Sequence, residues 1–260
     1  MEKEKKEILL ETIPLYQNNR FFDYKDPYIS PDSLTRPFYE LQAHLAKKGY
    51  DFKTIDLSKE PTSARAIISL EVPREPSRLF WKLPLHKLEG RLYCMLYEPP
   101  SVRADNYNRK KHAVFSKIFT WRDDWVDNKK YFKFQYYLPF FEEEKIPVLK
   151  TPFPKRKLLC LVSSNKYSCH PNQLYDERVR AARFMEKNHP GEFDLYGGGW
   201  DMPVIHSQLA EGLGINNFHK AASKIKKALK IGSLGNWQFP SWKGMVKYKL
   251  DAISQYKFSI

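Results

Sequence analysis

Residues 158–200 constrain this chain more than any other stretch. An apolar run, Leu158-Leu159-Cys160-Leu161-Val162, stops at Ser163-Ser164-Asn165; Asp176-Glu177-Arg178-Val179-Arg180 then opens a helical pattern, and Phe193-Asp194-Leu195-Tyr196 runs into Gly197-Gly198-Gly199. The order is strand, loop, helix, strand, glycine turn. A short apolar run bounded by Ser and Asn suits a strand buried on both faces, and parallel strands of that kind need a crossover helix between them. Leu174, Arg178, Ala181, Ala182 and Met185 recur at helical spacing, and His189-Pro190-Gly191 supplies the stop. Ligands of such a unit bind at the carboxyl ends of the strands, where the loops and the helix N-terminus gather. Topology therefore groups Ser164, Asn165, Arg178, Arg180 and Gly197.

Arg178 and Arg180 fall in the first turns of this helix, where acidic residues are favoured. Two readings are open. In one, an anionic ligand offsets the misplaced charge, because guanidinium grips phosphate bidentately while helix-start and glycine-turn amides approach it. In the other, both arginines are solvated surface residues, one of them paired with Glu177 or Asp176.

The preceding residues repeat the alternation of strand and helix. Pro37 to Lys48 carries Phe38, Leu41 and Leu45 on one face and stops at Gly49; Phe52 to Leu57 alternates as a strand, and Ala66 to Leu70 reads as a buried one. Leu92 to Tyr97 is another buried strand, which delivers Glu98-Pro99-Pro100 at its carboxyl end. Proline fixes its own φ and restricts its predecessor, so Glu98 is suited to general-base work or to bonding loop amides. The class that follows is α/β.

Charge adds a second constraint. Lysine and arginine exceed acidic residues by 14, so the surface attracts phosphorylated ligands, nucleic acid or an anionic bilayer without choosing among them. Met1 to Glu7 is mixed in charge and is followed by only Ile8-Leu9-Leu10, from which no signal peptide or spanning helix can be drawn. Cys94, Cys160 and Cys169 have no paired spacing and read as reduced thiols, the first two inside strands. The expected place is a cytoplasm, with peripheral contact at an anionic inner membrane as the second option. His206 and His219 lack a ligand-spaced partner, and the basic stretch Phe218 to Lys230 is most simply a solvated helix face.

Three groups of residues carry a family resemblance. Ser163-Ser164-Asn165, Glu177 to Phe184 and Asp194 to Trp200 resemble the start of the nucleotide-sugar domain of glycosyltransferase family 10, the α-1,3/α-1,4-fucosyltransferases. Tyr97-Glu98-Pro99-Pro100-Ser101 is similar to the E-x-P-S element of that family, matched at Glu98, Pro100 and Ser101. Residues 115–133, FSKIFTWRDDWVDNKKYFK, are similar throughout to a block of its bacterial members. The resemblance implies a GT-B arrangement of two Rossmann-like domains, the first (1–150) on the acceptor side and the second (151–260) the beginning of the GDP-fucose domain. It implies inverting transfer of fucose from GDP-fucose to a GlcNAc-containing glycan such as a surface-polysaccharide precursor. Glu98 would be the catalytic base; Ser164, Asn165, Arg178, Arg180 and Gly197 would bind the donor. No metal is required by this reading. Asp123, Asp124 and Asp127 have the hard oxygens that Mg²⁺ or Mn²⁺ prefer, but capping accounts for an acidic loop equally well.

The proline-rich stretch 139–157 supplies the expected boundary, near residue 150. In the family a Y-K-F-x-I strand leads into E-N and Y-V-T-E-K-I segments that hold sugar and diphosphate. Tyr256 to Ile260 stands where that strand would, so the second domain is expected to be incomplete and this chain inactive or weak. The alternative of another class is a non-catalytic basic protein on nucleic acid or an anionic membrane. Lys129, Lys130 and Lys133 beside Tyr131, Phe132 and Phe134 have the composition of a single-strand strip, but nothing else continues it, so no specific nucleic acid is expected.

Overall fold

The computed structural model describes residues 6–26, 28–30, 34–74, 79–135, 151–166, 168, 170–200 and 239–260. The basic stretch 218–230, most of the proline-rich linker, Cys169, His206 and His219 lie outside the described residues. The chain divides into two compact units, Met1–Lys145 and Ile146–Ile260.

The first unit is built on six parallel strands: β1 (Lys6–Glu11), β2 (Tyr50–Thr54), β3 (Ala66–Leu70), β4 (Leu92–Leu96), β5 (Lys117–Thr120) and β6 (Tyr131–Lys133), in the order β2-β1-β3-β4-β5-β6. Side chains alternate between faces along each strand, so neighbours serve different cores. Leu9 joins Ile67, Leu92, Cys94 and Ile118 on one face, under Phe80, Leu88 and Phe115. Leu10 faces the other way, packing with Phe21, Phe22 and Phe52 beneath Phe38 and Leu45 of helix α1 (Arg36–Lys47). Each such fully buried side chain contributes about 1.5–3 kcal/mol. After β3 the crossovers are not long helices. A four-residue helix, α2 (Leu79–Lys82), and short 3₁₀ turns carry the chain, and aromatic rings close the layer. Phe80 stacks on Phe115 with centroids 5.5 Å apart.

β2 ends at Thr54 rather than continuing to Leu57; Ile55–Leu57 forms a 3₁₀ turn. Asn19 captures the strand end, accepting from the Thr54 amide at 2.9 Å while its own amide donates to the Thr54 hydroxyl at 2.9 Å. Helix α1 matches its expected span, and Gly49 beyond it adopts φ +82°, the left-handed stop that glycine favours.

The strand order reverses between β1 and β3, since β2 is added on one side and β3 to β6 on the other. Parallel sheets open a crevice at the carboxyl ends of the strands flanking such a reversal.

Among its described residues the second unit holds a three-stranded parallel sheet, β8-β7-β9, made of β7 (Lys157–Val162), β8 (Phe193–Tyr196) and β9 (Tyr256–Ser259). Helix α3 (Tyr175–Asn188) crosses from β7 to β8 and buries Ala182 and Met185 against Leu161, Phe193, Leu195 and Trp200. Gln173 starts it. Its side-chain carbonyl accepts from the Tyr175 amide at 2.6 Å, and its amide nitrogen donates to Asp176 at 2.7 Å. Helix α4 (Lys249–Ile253) precedes β9. Both units are α/β with parallel sheets, as the alternation of patterns required. Among the described residues no helix is long and apolar enough to cross a membrane.

Candidate active site

A cavity of about 560 Å³ opens in the first unit at the β1–β3 reversal. Thr12 and Ile13 follow β1, Leu70 and Glu71 close β3, and Tyr97 and Glu98 follow β4 along its lining. Tyr16, Phe38, Tyr97 and Phe134 form aromatic walls, with Tyr97 edge-on to Phe134 at 5.1 Å between centroids. Two carboxyls, Glu71 and Glu98, and two guanidiniums, Arg74 and Arg103, are the charged lining. Apolar walls with a few convergent polar groups are the usual build of a small-ligand site.

Glu98 has an exposed side chain and a fixed main chain. Its amide donates to Glu71 Oε1 at 2.9 Å, and its carbonyl accepts from Asn106 Nδ2 at 3.2 Å. The turn behind it is closed by the Val102 and Arg103 amides, which donate to the Pro99 carbonyl at 3.0 and 2.9 Å. Burial raises the Tyr16 hydroxyl pKa, and the negative charge of Glu98 raises it further. An exposed carboxylate on an anchored turn beside an apolar cavity can accept the proton of a bound hydroxyl.

Glu71 was not anticipated from the sequence. Its side chain accepts from the amides of Tyr97, at 3.0 Å, and Glu98, at 2.9 Å, and from the side-chain amide of Asn106. Burial raises its pKa to about 7; the hydrogen bonds from Asn106, Glu98 and Tyr97 oppose that rise, and the Glu98 charge adds to it. Glu71-Val72-Pro73 after β3 is an acid-then-proline strand end like Glu98-Pro99 after β4, which is the signal that could have found it.

Behind Glu71 lies a buried relay into residues 115–133. The Asn106 carbonyl accepts from His112 Nε2 at 3.0 Å, and His112 Nδ1 accepts from the Tyr131 hydroxyl at 3.0 Å in the neutral tautomer. Burial lowers the His112 pKa, against a rise from the Asn106 bond, and Arg109 and Lys130 lower it further. The aromatic block is thus structural support for the Glu98 turn. Arg109 and Arg122 lie over the Trp125 ring, 5.0 and 4.6 Å from its centroid. Its three aspartates have separate tasks: Asp127 Oδ1 accepts three backbone amides, those of Lys129, Lys130 and Tyr131, each at 2.8 Å; Asp124 pairs with Arg122, and Asp123 with Lys133.

In the second unit the structure brings Ser164, Asn165 and Gly197 together, but mainly by closing them on one another. The Asn165 amide donates to the Gly198 carbonyl at 2.9 Å, and Asn165 Nδ2 to the Gly199 carbonyl at 3.1 Å. Gly197 has φ +124°, and a Cβ there would stand 2.0 Å from the Ser163 carbonyl oxygen. The two arginines are engaged on their own helix. Arg180 is mostly exposed and pairs with Glu177 at 2.6 Å, while Arg178 lies over the Tyr175 ring at 5.0 Å. Asp194, beneath this turn on β8, is buried and accepts from Lys157 at 2.7 Å and from the Tyr256 hydroxyl.

No protein-family model matches the chain, and no curated protein matches it.

Proposed function

We propose that the chain belongs to an inverting fucosyltransferase that moves fucose from GDP-fucose to a GlcNAc-containing glycan. The observation that carries this reading is Glu98, anchored at the end of a central parallel strand on an aromatic-lined cavity at the sheet's switch point. A pyranose offers apolar C–H faces to rings such as Tyr97 and Phe134 and hydroxyls to carboxylates. Around 560 Å³ accommodates more than one sugar ring.

In this reading the acceptor hydroxyl attacks C1 of fucose, the C1–oxygen bond to the diphosphate breaks, and the hydroxyl proton passes to the Glu98 carboxylate. GDP leaves with the bonding electrons, and the configuration at C1 inverts. Family resemblance assigns the diphosphate to the second unit, at Ser164, Asn165, Arg178, Arg180 and Gly197. The ion pair of Arg180 with Glu177 is no obstacle. An exposed pair contributes about 0–1 kcal/mol, less than the roughly 1.5–3 kcal/mol of a hydrogen bond to a charged phosphate oxygen. Arginines and loop amides of this kind neutralise a diphosphate without calling for a metal.

The test is transfer of radiolabelled fucose from GDP-fucose to N-acetyllactosamine by the full natural protein and by its Glu98→Gln variant. Removal of a general base should cut turnover by on the order of 10² to 10⁴ with donor binding little changed. Equal turnover in Glu98→Gln removes Glu98 as the base, and no transfer by the natural protein overturns the reading.

A further inference from the structure

Glu71 occupies a place that disfavours a glutamate. Its backbone is left-handed, with φ +69°, a region that L side chains avoid. Such strain persists only where the surroundings over-determine it, and here they do. The Glu71 amide donates to the Met95 carbonyl at 2.9 Å, and its carbonyl accepts from the Ser69 hydroxyl at 2.8 Å. The side chain is committed in turn. One oxygen takes the consecutive amides of Tyr97 and Glu98, and the other faces Asn106. Burial also raises its pKa to about 7, so ionising this group in place is unfavourable. A strained, half-buried carboxyl that spends one oxygen on two consecutive amides of a single turn is explained by what that turn carries.

Asn106 fixes the polarity of the arrangement. Its Oδ1 accepts from the Val72 amide at 3.0 Å, so its Nδ2 must point toward Glu71 and the Glu98 carbonyl. His112 holds the Asn106 main chain from behind. Flipping the Asn106 amide would leave the buried Val72 amide without its acceptor. The position facing Nδ2 must therefore be an acceptor, which glutamate provides and glutamine, presenting its own NH₂ there, does not.

We propose that Glu71 is a positioning residue for Glu98. It grips the Tyr97 and Glu98 amides and so sets where the Glu98 carboxyl stands in the cavity, while Asn106 and His112 hold Glu71 in register. That Glu98 then acts as a base rests on the fucosyl-transfer reading; the grip itself does not.

A charge-conserving swap tests it. In Glu71→Gln the two NH₂ groups oppose each other and the turn loosens. In Glu71→Gln/Asn106→Asp, the carboxylate introduced at position 106 accepts from both the Val72 amide and the NH₂ introduced at position 71, while the Glu98 carbonyl loses the donor that Asn106 Nδ2 supplied. The side-chain carbonyl at position 71 then keeps the Tyr97 and Glu98 amides. Amide hydrogen exchange at Tyr97 and Glu98 is measured in the full chain for wild type, Glu71→Gln, Asn106→Asp and the double variant, with thermal unfolding beside it. Exchange at these two amides should quicken about 10- to 150-fold in Glu71→Gln, the equivalent of one hydrogen bond to a charged group, and slow again in the double variant, short of wild type because the Glu98 carbonyl has lost its donor. Fucosyl transfer should follow the same pattern in kcat with KM little changed. Unaltered exchange in a folded Glu71→Gln chain overturns the proposal, and so does a folded double variant whose Tyr97 and Glu98 amides exchange as fast as in Glu71→Gln. If Glu71→Gln does not fold, the double variant alone decides. Exchange that follows the swap while no variant transfers fucose, wild type included, upholds the grip and removes the fucosyl-transfer reading. Open amides with undiminished transfer overturn the positioning of Glu98.

Discussion

The two units end their central strands in opposite ways. In the first, the ends of β1, β3 and β4 stand apart around a cavity, and two carboxyls line it. In the second, the end of β7 is stitched to the glycine turn after β8, with the Ser163 carbonyl accepting from the Trp200 indole at 2.7 Å and the Asn165 amide donating to the Gly198 carbonyl at 2.9 Å, and the Gly197 amide ties the turn to the Gly244 carbonyl at 2.9 Å. The difference lies in where the backbone hydrogen bonds go. The second turn spends the Asn165 and Gly197 amides on neighbouring carbonyls, while Ser163 Oγ and Asn165 Oδ1 are buried there without a hydrogen-bond partner among the described residues. The first turn has its main chain satisfied by Glu71 and leaves the Glu98 side chain exposed. Parallel α/β architecture sets where a site can form; the residues at the strand ends decide whether it stays open.

The largest effect should follow from forcing the closed turn apart. Gly197→Ala places a methyl 2.0 Å from the Ser163 carbonyl oxygen at φ +124°, so either the turn or the strand end must move. Strain and lost packing together should destabilise the second unit by about 3 kcal/mol or more, with the first unit unaffected, as read by denaturant unfolding with amide exchange in each unit.

Two carboxyls, Asp194 in the second unit and Glu71 in the first, should answer pH with opposite signs. Burial tends to raise the Asp194 pKa, but its bonds to Lys157 and Tyr256 and the charges of Lys157 and Lys243 outweigh this and lower it below the ordinary 3.8. A depressed carboxylate stabilises the fold above its ordinary pKa, and that contribution is lost as pH falls below about 4. Glu71 is the reverse case. Its pKa rises from the ordinary 4.5 to about 7, so the folded state binds the proton more tightly and the Glu71 contribution falls as pH climbs through that window. Exchange protection measured from pH 3 to 8 should show the second unit losing stability at the acid end. In the first unit, Glu71→Gln removes the titrating group, so the profile between those two values should be flatter than in wild type. Asp194→Asn should remove the acid-end loss at a cost of roughly 1.5–3 kcal/mol at neutral pH.

Much of this was legible in the sequence, and the failures have physical causes. β3, α1, α3 and the ends of β4 and β8 announced themselves through local periodicity and stops such as Gly49 and Gly191. Glu98 was legible because its apolar strand and the two prolines are adjacent in sequence. Glu71 was missed, although it follows an equally clear strand and its own proline stands two residues on. What makes it matter is a left-handed backbone and an Asn106 contact 35 residues away, and neither leaves a local pattern. Likewise, His112 has no sequence neighbour that reveals its place between Asn106 and Tyr131. In the second unit the grouping of Ser164, Asn165 and Gly197 followed from topology. Their mutual closure depends on an approach of two turns that periodicity does not encode.

The smallest effect should come from Arg180→Ala. Its exposed pair with Glu177 contributes at most about 1 kcal/mol, so unfolding should hardly change. GDP affinity in the full protein should still fall about 10- to 150-fold if the guanidinium meets the diphosphate, as titration calorimetry would show. A stability loss without an affinity loss would make Arg180 a helix-surface residue only.

The claim that the open strand-end cavity takes the reacting glycan is tested most directly by nuclear magnetic resonance. The ¹⁵N-labelled protein is titrated with N-acetyllactosamine. Saturable shifts should appear at Tyr16, Glu71, Tyr97, Glu98 and Phe134, which line the cavity, and should weaken in Tyr97→Ala. Shifts confined to residues outside the cavity, or none at millimolar glycan, would contradict the account.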